Sequence, residues 1–321
     1  MSFRSENYTT PNKSLWKGRV DSDTDRTQFR YHQVVESVDL SKSTPKNKTV
    51  LLGFASDVGV KRNGGRVGAA HGPDYFRSSI GSLCWHGDEG FYDVGNISPI
   101  QDDLETAQEQ LGNAVHRLLS SGNKPVVIGG GHETAFGHYL GLASYLKETQ
   151  PEAKLGILNI DAHFDLRPHN EIPHSGSPFL QAHEHAEKHN LDLKYFVYGI
   201  NRDNNTFSLF KTAEELDTEF CENLNIMNSE KESLKRVSEF IESRTHIYLT
   251  ICLDVFNVSI APGLSAPAWN GIGLIHAINL IDLVKESGKM LSADMCELNP
   301  EFDQTGQTAK TAGSLFSALI K

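Results

Sequence analysis

The sequence predicts a doubly wound α/β sheet. Short β-branched apolar runs recur through most of the chain, amphipathic stretches separate them, and reactive side chains stand just after several of the runs. The first run is Thr49 to Phe54. A helix is expected from Leu104 to Leu119, because Leu104, Ala107, Leu111, Val115, Leu118 and Leu119 form one stripe, with Glu105, Gln108 and Arg117 on the polar face. Further strands are expected at Pro125 to Ile128, Leu155 to Ile160, Tyr195 to Ile200, Ile247 to Leu253 and Met290 to Met295. Helices are expected at Thr134 to Lys147, Glu230 to Ile241, Ile275 to Lys285 and Thr308 to Ile320. Asn257 to Gly273 holds three glycines and two prolines and reads as a long irregular loop. Residues 1–45 are polar and read as an N-terminal arm with Trp16 as its anchor, and 46–321, without repeat or linker, read as a single domain.

Composition narrows the function. A formal net charge of −11 opposes binding to nucleic acid or an anionic membrane, both of which require a basic face, so a small molecule is the expected partner. No stretch reaches the ~20 apolar residues of a membrane helix, and Met1 to Asn12 lacks the apolar core of a signal peptide. Four scattered cysteines do not make a disulfide framework. A cytoplasmic protein is expected.

Ligands of parallel sheets collect beyond the carboxyl ends of the strands. There the sequence places metal-binding side chains. Pro125 to Ile128 runs into Gly129-Gly130-Gly131-His132-Glu133, whose glycines permit a sharp turn that brings His132 to the sheet edge. Leu155 to Ile160 runs into Asp161-Ala162-His163-Phe164-Asp165, and if the extended geometry continues, Asp161, His163 and Asp165 share a face. Ile247 to Ile251 leads to Cys252 and Asp254, two more donors on one face. Any one of these segments alone fits a helix cap or a turn. Three strands ending alike point to a metal centre. Imidazole and carboxylate donors without a zinc-finger cysteine pattern favour a hard or borderline ion in an open catalytic site, and the number of donors allows two ions.

These segments resemble the ureohydrolase family, which includes arginase, agmatinase and formimidoylglutamase. The resemblance runs from Leu51 to the C-terminus through Gly-Gly-Gly-His-Glu at 129–133, Asp-Ala-His-Phe-Asp at 161–165, Leu-Thr-Ile-Cys-Leu-Asp-Val-Phe at 249–256 and Ser-Ala-Asp-Met-Cys-Glu-Leu-Asn-Pro at 292–300. Likeness to the formimidoylglutamase branch lies in Leu-Trp-Lys-Gly-Arg-Val-Asp at 15–21, Val-Lys-Arg-Asn-Gly-Gly-Arg-Val-Gly-Ala at 60–69 and Ala-Pro-Gly-Leu-Ser-Ala-Pro-Ala at 261–268. It implies a three-layer α/β/α fold, a homo-oligomer, and two manganese ions that activate water to hydrolyse N-formimidoyl-glutamate to glutamate and formamide in histidine breakdown. His132 and Asp165 are then expected on one ion, His163 and Asp254 on the other, with Asp161 bridging. Asp165 also receives a proton, and Glu297 holds the cationic amidinium. Cys252 stands where the family has a bridging aspartate, so one manganese position is expected to be weak.

The substrate's two carboxylates call for cations or hydroxyl and N–H donors. Arg167 follows Asp165 by two residues, Ser177 lies in the loop His174 to Phe179, and Arg66 and Arg202 are further candidates. That loop resembles the family's specificity loop, with Phe179 where arginases have histidine. His183, His185 and His189 read as one exposed helix face. The alternatives are a guanidino-acid or agmatine hydrolase releasing urea, and an inactive binding or regulatory relative, which Cys252 raises.

Overall fold

The computed structural model describes residues 5–170 and 172–321. Among these, one ten-stranded sheet forms from β1 (Tyr8–Thr9), β2 (Glu36–Ser37), β3 (Thr49–Phe54), β4 (Tyr92–Ile97), β5 (Lys124–Gly129), β6 (Lys154–Ile160), β7 (Asp192–Ile200), β8 (Glu219–Glu222), β9 (His246–Cys252) and β10 (Met290–Cys296). The order across it is β1-β4-β3-β5-β10-β9-β6-β7-β8, with β2 also on β4. Of these ten strands only β1 pairs antiparallel. The carboxyl ends of β5, β10, β9 and β6 therefore stand side by side, although β5 and β10 are far apart in sequence.

The helices are α1 (Tyr31–Val34), α2 (Val58–Arg62), α3 (Gly72–Ile80), α4 (Leu104–Ser120), α5 (Thr134–Thr149), α6 (Pro178–His189), α7 (Phe207–Glu215), α8 (Asn223–Asn228), α9 (Glu230–Glu242), α10 (Leu274–Glu286) and α11 (Gln307–Ile320). Strand alternation divides the core into two layers. Leu249 and Ile251 of β9 join a core that α3, α9, α10 and α11 cover, with Phe76, Phe240, Leu280 and Phe316 among its members. Tyr248 points into the other core, beneath α4 to α7, with Leu111, Leu142, Phe179 and Leu209. The result is the expected three-layer α/β/α fold. The stripe read in the sequence is the buried face of α4, whose N-terminus is capped by Asp103 Oδ1, which accepts from Thr106 N–H at 3.1 Å. None of these helices is long and apolar enough to cross a membrane.

Some elements differ from expectation. β9 ends at Cys252, and Leu253 begins a short 3₁₀ turn that carries Asp254. β4 was hidden because Asp93, Gly95 and Asn96 break its apolar run. Asp93 is fully buried there, accepting from Arg77 at 2.8 and 2.9 Å and from Trp16 Nε1 at 2.8 Å. Paired this way, a buried carboxylate is tolerated, and the arm's Trp16 is fixed to the sheet. β8 is a four-residue edge strand, too short for periodicity to reveal. α3, α7 and α8 are further helices that were not expected, whereas Asn257 to Gly273 is the irregular loop expected.

Candidate metal centre

The turn after β5 depends on glycine. Gly130 N–H donates to Phe54 O at 2.8 Å, and a Cβ on Gly130 would stand 1.9 Å from Ser56 O, so only glycine lets the chain pass. His132 follows, 1% exposed. Its Nδ1 stands 3.0 Å from Asp161 Oδ2 and 2.9 Å from Asp165 Oδ2. Its backbone N–H donates to Glu297 Oε1 at 3.0 Å.

Beyond β6 the extended geometry does not continue. The chain bends, His163 N–H donates to Asp161 Oδ1 at 2.7 Å, and Asp165 adopts φ +49°. Convergence of Asp161, His163 and Asp165 is thus the work of a side-chain-capped bend, not of strand alternation. Glu297, just past β10, also takes a left-handed φ of +75°. Two non-glycine residues held in this costly region mark a site that the surroundings over-determine. His163 Nδ1 lies 3.1 Å from Asp254 Oδ2 and 3.5 Å from Asp161 Oδ1. Asn159 donates to Asp161 Oδ2 at 3.0 Å and orients it.

Charge crowding shows what this cluster can hold. Burial and the neighbouring Asp161 push Asp165 up to about 6. Burial, then Glu133 and Asp254, push Glu297 up to about 8, and burial raises Asp254 and takes Glu133 to about 7. Asp161 is held low despite its burial, by hydrogen bonds from His132 and His163. Against burial, the carboxylates hold both imidazoles well above the ordinary histidine range. Carboxylates collected in a buried space repel one another unless cations join them. Asp254 Oδ1 is buried without a hydrogen-bond partner, an orphaned acceptor of the kind a cation satisfies. Donor atoms of Asp161, His163 and Asp254 lie within 4.8 Å of one another, as do those of His132, Asp161 and Cys252. Two adjoining ligand sets suit two divalent ions, whose entry would displace the imidazole protons.

The remaining sequence candidates separate clearly. Cys252 is buried beside this cluster, its thiol pushed far up by burial and then by the surrounding carboxylates. Arg167, two residues past Asp165, is exposed, and no acceptor for its guanidinium is found among the described residues. A Cβ on Gly176 would stand 2.8 Å from Arg167 Cδ, so glycine there leaves the arginine its course. Arg66 is committed elsewhere: it donates to Leu264 O at 2.6 Å and Ser265 O at 2.9 Å and lies over Phe302. Arg202 is paired with Glu222. Ser177 is fully buried, its hydroxyl donating to His174 O at 2.9 Å and accepting from His174 N–H and Gln181. Arg167 is thus exposed, while the polar groups of Arg66 and Ser177 hold loops together. Phe179 packs edge-on against the His132 ring at 5.3 Å. The histidines of α6 are half-buried instead of forming an exposed face, with His185 against Tyr139 and His189.

Sequence reasoning gave no role to Glu133, Thr250 or Asp294. Glu133 is fully buried and accepts from Ser56 Oγ at 3.0 Å and Gly59 N–H at 2.9 Å, which ties α2 to the metal turn. Asp294 had a visible signal, a charge within an apolar strand.

The molecule's relatives agree with this geometry. The family model described as the arginase family matches residues 47–321. The formimidoylglutamase of Geobacillus thermodenitrificans (strain NG80-2) is 41% identical over 312 residues, covering 96% of this chain and 95% of the relative. That of Clostridium tetani (strain Massachusetts / E88) is 36% identical over 323 residues, covering 98% and 96%. The crystal structure of Trypanosoma cruzi formiminoglutamase with Mn2+2 matches the fold with a TM-score of 0.78 at 23% identity, covering 91% of this chain and 97% of that one. A family match spanning the sheet from β3 onward, joined to relatives of this identity over nearly their full length, means that the chain belongs to the arginase family.

Proposed function

We propose that this chain hydrolyses N-formimidoyl-glutamate to glutamate and formamide, with two manganese ions held by His132, Asp161, His163, Asp165 and Asp254. The observation that carries the reading is the convergence of these five side chains at the ends of β5, β9 and β6, with β10 between the first two, in a chain similar to formimidoylglutamases over nearly its whole length. Histidine breakdown, a cytoplasmic location and a homo-oligomer belong to the same reading, and the likeness to formimidoylglutamases supports the first of them. When bound, manganese supplies water of lowered pKa and an electrophilic clamp.

The chain's own groups do the rest. Asp165 would accept the proton of the attacking water and return it to the departing amine as the C–N bond breaks. Glu297 faces the amidinium with a buried carboxylate, and Phe179 keeps water from the far side of His132. The test is a turnover screen of formimidoyl-glutamate, arginine, agmatine and guanidinobutyrate with added manganese. Glutamate release should stop with a chelator and return with the metal. Faster use of arginine or agmatine, by a hundredfold in kcat/KM or about 2.7 kcal/mol, would replace this substrate by a guanidine.

Arg167 is assigned to a substrate carboxylate, because it follows Asp165 by two residues and its exposed guanidinium has no acceptor among the described residues. Arg167→Ala should lower kcat/KM by about one to two orders of magnitude, the loss of a charge-assisted contact of ~1.5 to 3 kcal/mol, with manganese content unchanged. An unaltered kcat/KM would make Arg167 a surface residue.

Cys252 is assigned a weakening role, since a single sulfur donor offers manganese less than the carboxylate the family places there. Cys252→Asp should raise manganese per chain toward two. A parent that already holds two tightly, with no gain in the variant, would show that Cys252 costs the site nothing.

A further inference from the structure

Behind His132, away from the other ligands, lies a buried line of polar side chains that none of the roles above uses. Asp294 of β10 is paired in register with Thr250 of β9, so the two project from the same face of the sheet. Both are fully buried, as is His138 of α5. Thr250 Oγ1 donates to Asp294 Oδ1 at 2.6 Å. His138 Nδ1 lies 2.7 Å from Asp294 Oδ2, and Tyr248 O–H donates to that same oxygen. His138 Nε2 stands 2.8 Å from Ser292 Oγ, which donates its own hydrogen to Pro125 O at 2.7 Å. His132 Nε2 stands 3.0 Å from Thr250 Oγ1.

Each hydroxyl has one hydrogen, which decides the directions along this line. Ser292 has committed its hydrogen to Pro125 O, so it accepts from His138 Nε2–H. His138 Nδ1–H then donates to the Asp294 carboxylate, which can only accept. Thr250 has committed its hydrogen to Asp294, so its oxygen accepts from His132 Nε2–H. The proton of His132 is thereby held on the buried nitrogen, and Nδ1, which faces Asp161 and Asp165, is the nitrogen left for a cation.

We infer that the Asp294–His138 pair, acting through Thr250, positions His132 and fixes its metal-binding nitrogen, and so sets the affinity of that metal position. This rests on His132 being a ligand. These are positioning residues, because they touch neither substrate nor ion. An acceptor at Thr250 would suffice to orient the ring; the buried carboxylate fixes which way the threonine hydroxyl points, and His138 keeps that carboxylate ionised in an otherwise apolar layer.

The experiment compares the parent with Thr250→Val, Thr250→Ser and Asp294→Asn. It reads manganese dissociation constants by competition with a fluorescent chelator and the melting temperature of the metal-free proteins. Thr250→Val should weaken one manganese position by on the order of 10- to 100-fold, with the metal-free melting temperature little changed. Thr250→Ser should bind as the parent does, and Asp294→Asn should lose affinity at the same position. Parent-like affinity in Thr250→Val, or an equal loss in Thr250→Ser, overturns the relay, and parent-like affinity in Asp294→Asn removes the pair from it. Should Thr250→Val fail to fold, ¹⁵N spectra of the unmutated protein loaded with diamagnetic cadmium decide the matter. A proton on His132 Nε2 is expected, and one on Nδ1 refutes the inference. A parent that binds no manganese or cadmium refutes the metal centre itself, a result distinct from all of these.

Discussion

Asp161→Ala should abolish turnover, with a loss of three or more orders of magnitude in kcat, about 4 kcal/mol or more of transition-state stabilisation. Asp161 stands where the two ligand sets meet, within reach of His132 through Oδ2 and of His163 through Oδ1. Its removal leaves both sets short of a carboxylate and strips His132 and His163 of the partner that orients them. Manganese content should therefore fall at both positions, and added metal should not restore activity. A variant that retains two manganese ions and more than a tenth of parental kcat would show that Asp161 does not bridge. Asp254→Ala makes the useful contrast, since Asp254 meets only the His163 set and its loss should spare the ion at His132.

Glu297→Gln should lower kcat/KM by about two orders of magnitude, near 3 kcal/mol, with manganese retained. The amide keeps the shape and still accepts the His132 N–H bond through its oxygen. It loses the charge that would face an amidinium. The same variant has a signature in stability. The Glu297 carboxyl keeps its proton up to about 8 in the folded protein, against an ordinary value of 4.5. Between those values the unfolded chain binds fewer protons, so this contribution to stability is full below about pH 4.5 and is lost as pH rises toward 8. The metal-free parent should thus lose melting temperature on going from pH 5 to 8, and Glu297→Gln should lose less. Equal slopes in the two proteins, together with parental kcat/KM, would remove Glu297 from the site.

How much of this could be read beforehand differs from residue to residue. The runs at 49–54, 125–128, 155–160 and 247–251 were legible because buried parallel strands are nearly continuous in apolar residues. β4 was illegible for the opposite reason, since its buried Asp93 is neutralised by Arg77 and Trp16 from distant parts of the chain. The candidate metal donors were legible because His132, Asp161, His163, Asp165, Cys252 and Asp254 fall directly behind those runs. The bend that makes Asp161, His163 and Asp165 converge was not, because it depends on a side chain accepting from a backbone N–H and on a left-handed Asp165.

What the sequence determined by itself was local: the strand runs, the kinds of donor that follow them, and their likeness to one family. Tertiary structure decided the rest. It placed β10 between β5 and β9, which brings Glu297 beside His132 and sets Asp294 against Thr250. It also separated three candidate arginines, leaving the Arg167 guanidinium without an acceptor among the described residues while Arg66 and Arg202 are taken up by a loop and a glutamate. The physical reason is that strand type and donor chemistry belong to short segments, whereas desolvation and the choice of hydrogen-bond partner depend on which segments lie against one another, and that is known only once the sheet is assembled.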